Sequence, residues 1–284
     1  MSRTVYVNGA YLPEEEAKIS VFDRGFLFAD GVYEVSTVVD GRLVDNAAHL
    51  RRLHRSLGEL DMPAPATPEE IEAIQRELIA RNGIDQGMVY LQVTRGAADR
   101  DFLYPTDAAP SLVMFTQTKN VIDNPTAAKG ISVVTLPDIR WRRRDIKTVA
   151  LLASSMAKQA AHDAGADDAW MVEDGMVTEG SSNNAFIVTH DGAIVTRALS
   201  NDILHGITRR AVLAIAEREG LTVEERAFSP EEAHEAAEAF ITSASTFVMP
   251  VVKIDNRILG NGVPGPVSEN LRRLYIEMAR QEAT

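Results

Sequence analysis

Cysteine is absent from the chain, which excludes disulfides, thiolate metal sites and a catalytic thiol and leaves the redox compartment unread. Histidine is sparse, with six residues scattered without metal-ligand spacing. Positive charge is in deficit, since 29 Lys and Arg face 41 Asp and Glu for a net charge of −12. A broad nucleic-acid or anionic-membrane surface therefore lacks its basic stripe, and any anionic ligand has to meet locally gathered positive charge. No apolar run approaches a membrane span. The start runs into a strand pattern without a signal-peptide core. A cytoplasmic protein with neither nucleic-acid nor membrane partners is expected. What is present is apolar bulk: 45% of 284 residues are hydrophobic, enough for one large core or two moderate ones, and two lobes are the expectation.

Hairpin signals open the chain. Val5-Tyr6-Val7 and Ala10-Tyr11-Leu12 flank Asn8-Gly9, and Val35 to Val39 meets Arg42 to Val44 across Asp40-Gly41. Helices are expected at Ala47 to Leu60 and Pro68 to Arg81, the second announced by a Thr67–Glu70 capping box and ended by Gly83. Strands at Met88 to Thr94 and Ser111 to Thr118 complete an N-terminal α+β domain, residues 1–120. Residues 121–130 lack periodicity and read as a linker. A larger C-terminal domain, 131–284, opens with a strand and the charged Trp141-Arg142-Arg143-Arg144-Asp145-Ile146-Lys147 segment. An Ala-rich helix to about Ala164 and short strands punctuated by Asp174-Gly175 and Asp191-Gly192 follow. Helices are then expected from Ile207 to Glu219, after Ser229, and from Pro266 to Glu282, with a buried strand at Ala239 to Thr242. The fold class is α/β (α+β).

Four places could carry chemistry. Lysine is scarce and arginine plentiful, so Lys147, after three arginines, is a candidate amine whose pKa burial or neighbouring cations could lower. Taken alone it reads as well as a solvated helix-start residue. The run Val177-Thr178-Glu179-Gly180-Ser181-Ser182-Asn183-Asn184 sets an acid among small polar groups between apolar strands. It can be an exposed loop or a seat for a protonated ring nitrogen. Leu204-His205-Gly206-Ile207-Thr208-Arg209 introduces a helix whose first N–H groups and Thr208 hydroxyl suit an anion such as phosphate. Thr242-Ser243-Ala244-Ser245-Thr246 could add donors, and Arg52 the charge.

Taken in order, Asp30-Gly31-Val32-Tyr33-Glu34, His49-Leu50-Arg51-Arg52-Leu53, Asp145-Ile146-Lys147, Glu179-Gly180-Ser181-Ser182 with Asn184, and Gly206-Ile207-Thr208-Arg209 resemble the class IV pyridoxal-phosphate aminotransferases. Within that family the D-amino-acid aminotransferases are most similar. Five ordered motifs across the whole chain are far more specific than any one. The resemblance implies a two-domain fold type IV enzyme with a barrel-like C-terminal lobe, pyridoxal 5'-phosphate between the domains, and a homodimer. It makes Lys147 the Schiff-base lysine and Glu179 the partner of the pyridine nitrogen. Leu204 would pack on the ring, Ser182 and Asn183 would line the site, and Arg52, Ile207, Thr208, Ser243 and Ala244 would hold the phosphate. Ala244 stands where many relatives carry threonine, so one hydroxyl contact is lost.

The resemblance also implies amino donors and 2-oxo acids as partners, with Tyr33 and Arg100 gripping a D-amino acid's carboxylate. Phe102 fills the position of a histidine two residues after the arginine, so the clamp lacks a donor, and Tyr90 is placed to compensate in part. The arginine loop would reach in from the second subunit. The expected reaction moves the amino group of a D-amino acid such as D-alanine to 2-oxoglutarate or pyruvate, with (R)-amines as further donors. Branched-chain L-amino-acid transamination and aminodeoxychorismate lysis are the alternatives.

Overall fold

The computed structural model describes residues 2–284, which divide into two compact units. The first takes in the chain to Asn120 with Ile146–Ala150 and Ala279–Thr284, and the second holds Val121–Asp145 and Leu151–Met278.

The first unit contains β1 (Thr4–Val7), β2 (Ala10–Pro13), α1 (Arg24–Phe28), β3 (Gly31–Val39), β4 (Arg42–Val44), α2 (Asn46–Glu59), α3 (Pro68–Asn82), β5 (Gly87–Thr94) and β6 (Ser111–Thr118). Its antiparallel sheet runs β2-β1-β6-β5-β3-β4. The helix α3 starts at the expected capping box, Thr67 and Glu70 bonding reciprocally, and ends at Gly83 with φ 59°. α2 lies on β3 and α3 across β1 and β6. Leu50, Leu53, Leu57, Ile71 and Leu78 thereby join Leu91, Val93 and Met114 in one core.

Strand alternation gives this sheet two chemically different faces. On β3, Glu34 and Ser36 point toward α2, where Asn46, His49, Leu50, Leu53, Ser56 and Leu57 recur at helical spacing. That stripe is half polar because the strand residues it meets are polar. Tyr33 and Val35 point the other way. In register with β5 and β6, Tyr90 stacks between Tyr33 at 5.6 Å and Phe115 at 4.7 Å.

In the second unit are α4 (Pro125–Lys129), β7 (Ile131–Pro137), α5 (Leu152–Asp163), β8 (Asp168–Glu173), β9 (Met176–Gly180), β10 (Asn184–Val188), β11 (Ile194–Thr196), α6 (Ile207–Arg218), β12 (Val223–Glu225), α7 (Pro230–His234), β13 (Glu238–Ser243), β14 (Phe247–Ile254), β15 (Arg257–Ile258) and α8 (Pro266–Glu282). The sheet runs β12-β11-β10-β13-β14-β7-β8-β9, with β15 beside β14. It curls into a half-barrel: Val177 of β9 donates to the carbonyl of Phe228, shortly after β12, and Gly180 donates to that of Asn183, just before β10. Trp170, Ile187, Ile241 and Val251 fill its core.

Residues 121–130 carry more order than a linker. Val121 is buried, Asn124 caps α4 by accepting from Thr126, and Arg272 donates to the carbonyls of Val121 and Ile122. The Ala-rich helix begins only at Leu152, so Lys147 is not a helix-start residue. α1, with Asp23 as its cap, and strands β12, β14 and β15 left no clear local pattern; Pro250 breaks up the β14 run.

Candidate active site

Lys147 belongs to an extended stretch that pairs with the start of β3. Tyr33 donates its N–H to the Lys147 carbonyl at 3.0 Å, Val149 donates to Gly31 at 3.0 Å, and Val32 bridges Thr148. β4 pairs only with Thr37–Val39, so this half of β3 has an edge to offer. The Lys147 amine consequently lies 4.0 Å from the Tyr33 ring centre, a cation–π distance. Of the three upstream arginines, Arg143 pairs with Asp145 at 3.0 Å and Arg144 with Glu173 at 2.7 Å.

On the α2 side of β3, Glu34 is buried. Its Oε1 accepts from Arg52 Nε at 2.8 Å, and its Oε2 accepts from Arg52 Nη2 at 2.8 Å and His49 Nδ1 at 2.7 Å. Burial pushes this carboxyl up, but the Arg52 charge and the bonds from Arg52 and His49 outweigh it and hold the pKa at about 2. Arg52, 8% exposed, is thus aimed by a fixed anion.

Tyr90 donates its hydroxyl to Gln92 at 2.8 Å. Burial, with Tyr33 nearby, raises its pKa, so it stays protonated. That hydroxyl is already committed within the sheet. Arg100 lies over the rings of Phe28 and Phe102 at 5.2 and 5.5 Å, and Phe102 is 78% exposed. Tyr33 and Arg100 are therefore held by different side chains.

In the second unit Glu179 closes β9 and is buried. Arg140 Nη1 donates to its Oε1 at 2.6 Å, Asn184 Nδ2 to its Oε2 at 2.9 Å, and the Leu204 N–H to both oxygens at 3.2 and 3.1 Å. Burial raises its pKa. Arg140 and the Leu204 N–H pull downward without prevailing, and the charge of Asp138, 2.7 Å from Arg140, adds to the rise. Of the two neighbouring asparagines, Asn183 donates to Asp168 at 2.9 Å, alongside Ser181, while Asn184 reaches Glu179. Ser182 is exposed.

Asn184 also donates to the Leu204 carbonyl at 3.0 Å and so ties β10 to the entry of α6. There Gly206 is required, since a Cβ would fall 2.0 Å from Asn184 Oδ1. Gly206 caps α6 without a side-chain bond, which leaves the helix start, with Ile207 and the buried Thr208, to an acceptor from outside. On the neighbouring hairpin Ser243 Oγ lies 2.7 Å from Thr246 Oγ1, and Phe247 takes φ 60°. Ala244 is partly buried in this loop, and Thr242 Oγ1 is buried with no hydrogen-bond partner among the described residues.

The model of the family described as amino-transferase class IV matches residues 31–254. The chain is a class IV aminotransferase. It is 38% identical over 279 residues to the D-alanine aminotransferase of Staphylococcus haemolyticus, covering 96% of this chain and 98% of that protein. It is 37% identical to the D-alanine aminotransferase of Bacillus licheniformis, covering 94% of each. Among solved structures, a T.th. branched-chain amino acid aminotransferase complexed with N-(5'-phosphopyridoxyl)-L-glutamate superposes with a TM-score of 0.90 at 29% identity, covering 99% of this chain and 95% of that one. The fold is that of the fold type IV aminotransferases, which depend on pyridoxal phosphate.

The residues present suit that cofactor. Three donors meet Glu179, and one of them, the Leu204 N–H, is shared between both oxygens at 3.2 and 3.1 Å, so one of those shared contacts can give way to a ring N–H. The uncapped start of α6 and the Ser243 hydroxyl cluster suit a phosphate. Three residues that matter here escaped the sequence reading of roles: Glu34 and His49 behind Arg52, and Arg140 behind Glu179. Glu34 and His49 stand inside the class IV motifs as charges at positions that face α2 and β3; nothing local marks Arg140.

Proposed function

We propose that this aminotransferase binds pyridoxal 5'-phosphate and transfers the amino group of D-amino acids, D-alanine among them, to 2-oxo acids such as 2-oxoglutarate or pyruvate. The observation that carries the chemistry is the Lys147 amine held over the Tyr33 ring on the edge of β3. Preference for D-amino acids is supported by the full-length similarity to D-alanine aminotransferases, against 29% identity to the branched-chain neighbour.

The cofactor supplies an electron sink for the charge left when the substrate's α-proton departs. Lys147 is the amine that carries the cofactor at rest and moves that proton. Glu179 receives the ring N–H, with Asn184 and the Leu204 N–H fixing its oxygens. Leu204 would meet the ring, and Ser182 and Asn183 belong to the turn that follows Glu179 and would line the site. Arg52, Ile207, Thr208, Ser243 and Ala244 hold the phosphate, Ala244 through its backbone. Tyr33 and Arg100 bind the substrate carboxylate, with Tyr90 stacked behind Tyr33. We read the enzyme as a cytoplasmic homodimer in which a second copy brings its Arg100 loop to the substrate.

Lys147→Ala is expected to lower turnover by at least about a thousandfold; wild-type turnover with unchanged visible absorbance of the holoenzyme would overturn the assignment. A half-reaction panel following that absorbance with D-alanine, L-leucine and (R)-1-phenylethylamine tests the substrate class. D-alanine is expected to react fastest, and a faster reaction with L-leucine would favour branched-chain transamination. Because Phe102 cannot donate a hydrogen bond, Phe102→His is expected to lower the KM for D-alanine about tenfold or more. Unchanged constants would remove Phe102 from substrate selection.

A further inference from the structure

The motif Asp30-Gly31-Val32-Tyr33-Glu34 contains a charge for which the chemistry above has no use. Asp30 sits one residue before β3 and is nearly buried, with 10% of its side chain exposed. Its Oδ2 accepts from two guanidiniums at once, Arg24 Nε at 2.8 Å and Arg95 Nε at 2.8 Å. Their side chains are 4% and 5% exposed. Two like charges brought this close out of water repel each other unless an anion stands between them. The backbone locks the same cluster, since the Asp30 N–H donates to Arg24 and the Arg95 N–H to Asp30.

What the two arginines do with their remaining surfaces is informative. Arg24 Nη1 donates to the carbonyls of Asp101 at 2.6 Å and Leu103 at 3.3 Å. The Tyr104 ring lies flat against Arg95 at 3.5 Å, while the far end of Arg95 is fastened to the carbonyls of Leu60 and Asp61. Arg24 also lies 4.5 Å from the Phe28 ring, which meets Phe102 at 5.6 Å and Arg100 at 5.2 Å. Residues 99–105 form no helix or strand and expose Phe102, Leu103 and Tyr104. Within this stretch the Leu103 N–H donates to Asp101 Oδ1 at 3.1 Å, and Arg24 and Arg95 meet it from the rest of the unit.

We propose that Asp30 is a positioning residue for substrate selection: through Arg24 and Arg95 it fixes the 99–105 loop, and with it the orientation in which Arg100 and Phe102 are presented. This rests on the reading of Arg100 as a carboxylate ligand, but the loop mechanics can be tested apart from it. A charge-neutral Asp30→Asn keeps a carbonyl oxygen yet no longer screens the two guanidiniums. Arg24→Lys keeps the charge beside Asp30 but loses the guanidinium that joins Asp30, through Nε, to the two loop carbonyls, through Nη1.

The experiment uses the cofactor-loaded enzyme and two readouts: hydrogen–deuterium exchange over 99–105, and kcat and KM for D-alanine, with Arg100→Ala as reference. Within 99–105, Asp30→Asn is expected to speed exchange of the Leu103 amide, bonded to Asp101 Oδ1 at 3.1 Å, at least about tenfold, because each opening of the loop then breaks fewer charge-assisted bonds. It should raise the KM for D-alanine on the order of tenfold while kcat changes less than about threefold. Arg24→Lys should repeat the pattern more weakly; if Asp30→Asn fails to fold, it alone decides. Unchanged exchange in 99–105, or a loss falling on kcat rather than KM, overturns the positioning role. If Arg100→Ala leaves the KM for D-alanine unchanged, the carboxylate reading falls, and with it the proposal's link to selection.

Discussion

Glu34, beneath α2 in the first unit, and Glu179, at the end of β9 in the second, are both shut off from water, and each faces an arginine. Burial raises the pKa of a carboxyl in both places. At Glu34 it loses, and the group is held at about 2, because Arg52 commits two donors to it and His49 adds a third. At Glu179 it wins: Arg140 and the Leu204 N–H pull downward but do not offset burial, and the nearby Asp138 charge adds to the rise. Both carboxylates have an arginine within bonding distance; what differs is that His49 adds to Arg52 at Glu34, while the Asp138 charge works against Arg140 at Glu179. Glu34 is a finished ion pair that aims a side chain. Glu179 is an under-compensated carboxylate, and a further N–H donor, such as a protonated pyridine ring, would stabilise its charge.

The sharpest way to break this contrast is to neutralise each acid. Glu179→Gln is expected to reduce kcat by about a hundredfold or more, read from steady-state rates with saturating cofactor. Its effect on urea unfolding should be the smaller of the two, because Arg140 keeps Asp138. Glu34→Gln is expected to do the reverse and destabilise the protein by about 3 kcal/mol at neutral pH, since it leaves a buried guanidinium without its anion. Equal stability losses in the two variants would erase the distinction.

Acid titration sharpens it. The Glu34 carboxyl sits below its ordinary value of 4.5, so its contribution to stability is fully present above about 4.5 and is lost as pH falls toward about 2. The gap between wild type and Glu34→Gln in unfolding free energy should therefore close across that window. The Glu179 shift has the opposite sign. Its contribution is greatest below 4.5 and declines as pH rises through the elevated folded value. Arg140→Met removes the main charge opposing that elevation, so the acid limb of the kcat profile is expected to move to higher pH. An unmoved limb would detach Arg140 from Glu179's titration.

The smallest effect separates neighbours. Asn184→Ala removes a hydrogen bond to Glu179 and is expected to reduce kcat/KM about tenfold, the worth of one bond to a charged group. Asn183→Ala should leave kcat/KM within about threefold and instead lower stability by about 1 kcal/mol, since its amide serves Asp168. A larger kinetic effect at Asn183 than at Asn184 would reverse the assignment.

Much of this was legible before any coordinates. The Thr67–Glu70 capping box, the Asn8-Gly9 and Asp40-Gly41 hairpins and the span of α8 announced themselves within a few residues, because caps, turns and helical periodicity are local. The class IV motifs likewise marked Tyr33, Lys147, Glu179 and the start of α6. Other features left no local trace. Asn183 and Asn184 are alike as letters, and only the turn after β9 decides which of them faces Glu179. Arg140 lies 39 residues from Glu179, and Arg24 and Arg95 lie on either side of Asp30 at separations of 6 and 65.

By itself, then, the sequence determined the family, the cofactor chemistry expected of it and most of the regular elements, since each depends on residues close together in the chain or on motifs in order. Only the tertiary structure decided that Lys147 lies in an extended segment on the edge of β3 and that Arg52 is aimed by Glu34. It also decided that Glu179 shares its arginine with Asp138. Strand register and helix docking bring distant charges into hydrogen-bonding contact, and the strength of such pairs depends on distance, burial and competing partners, none of which is written in the order of residues.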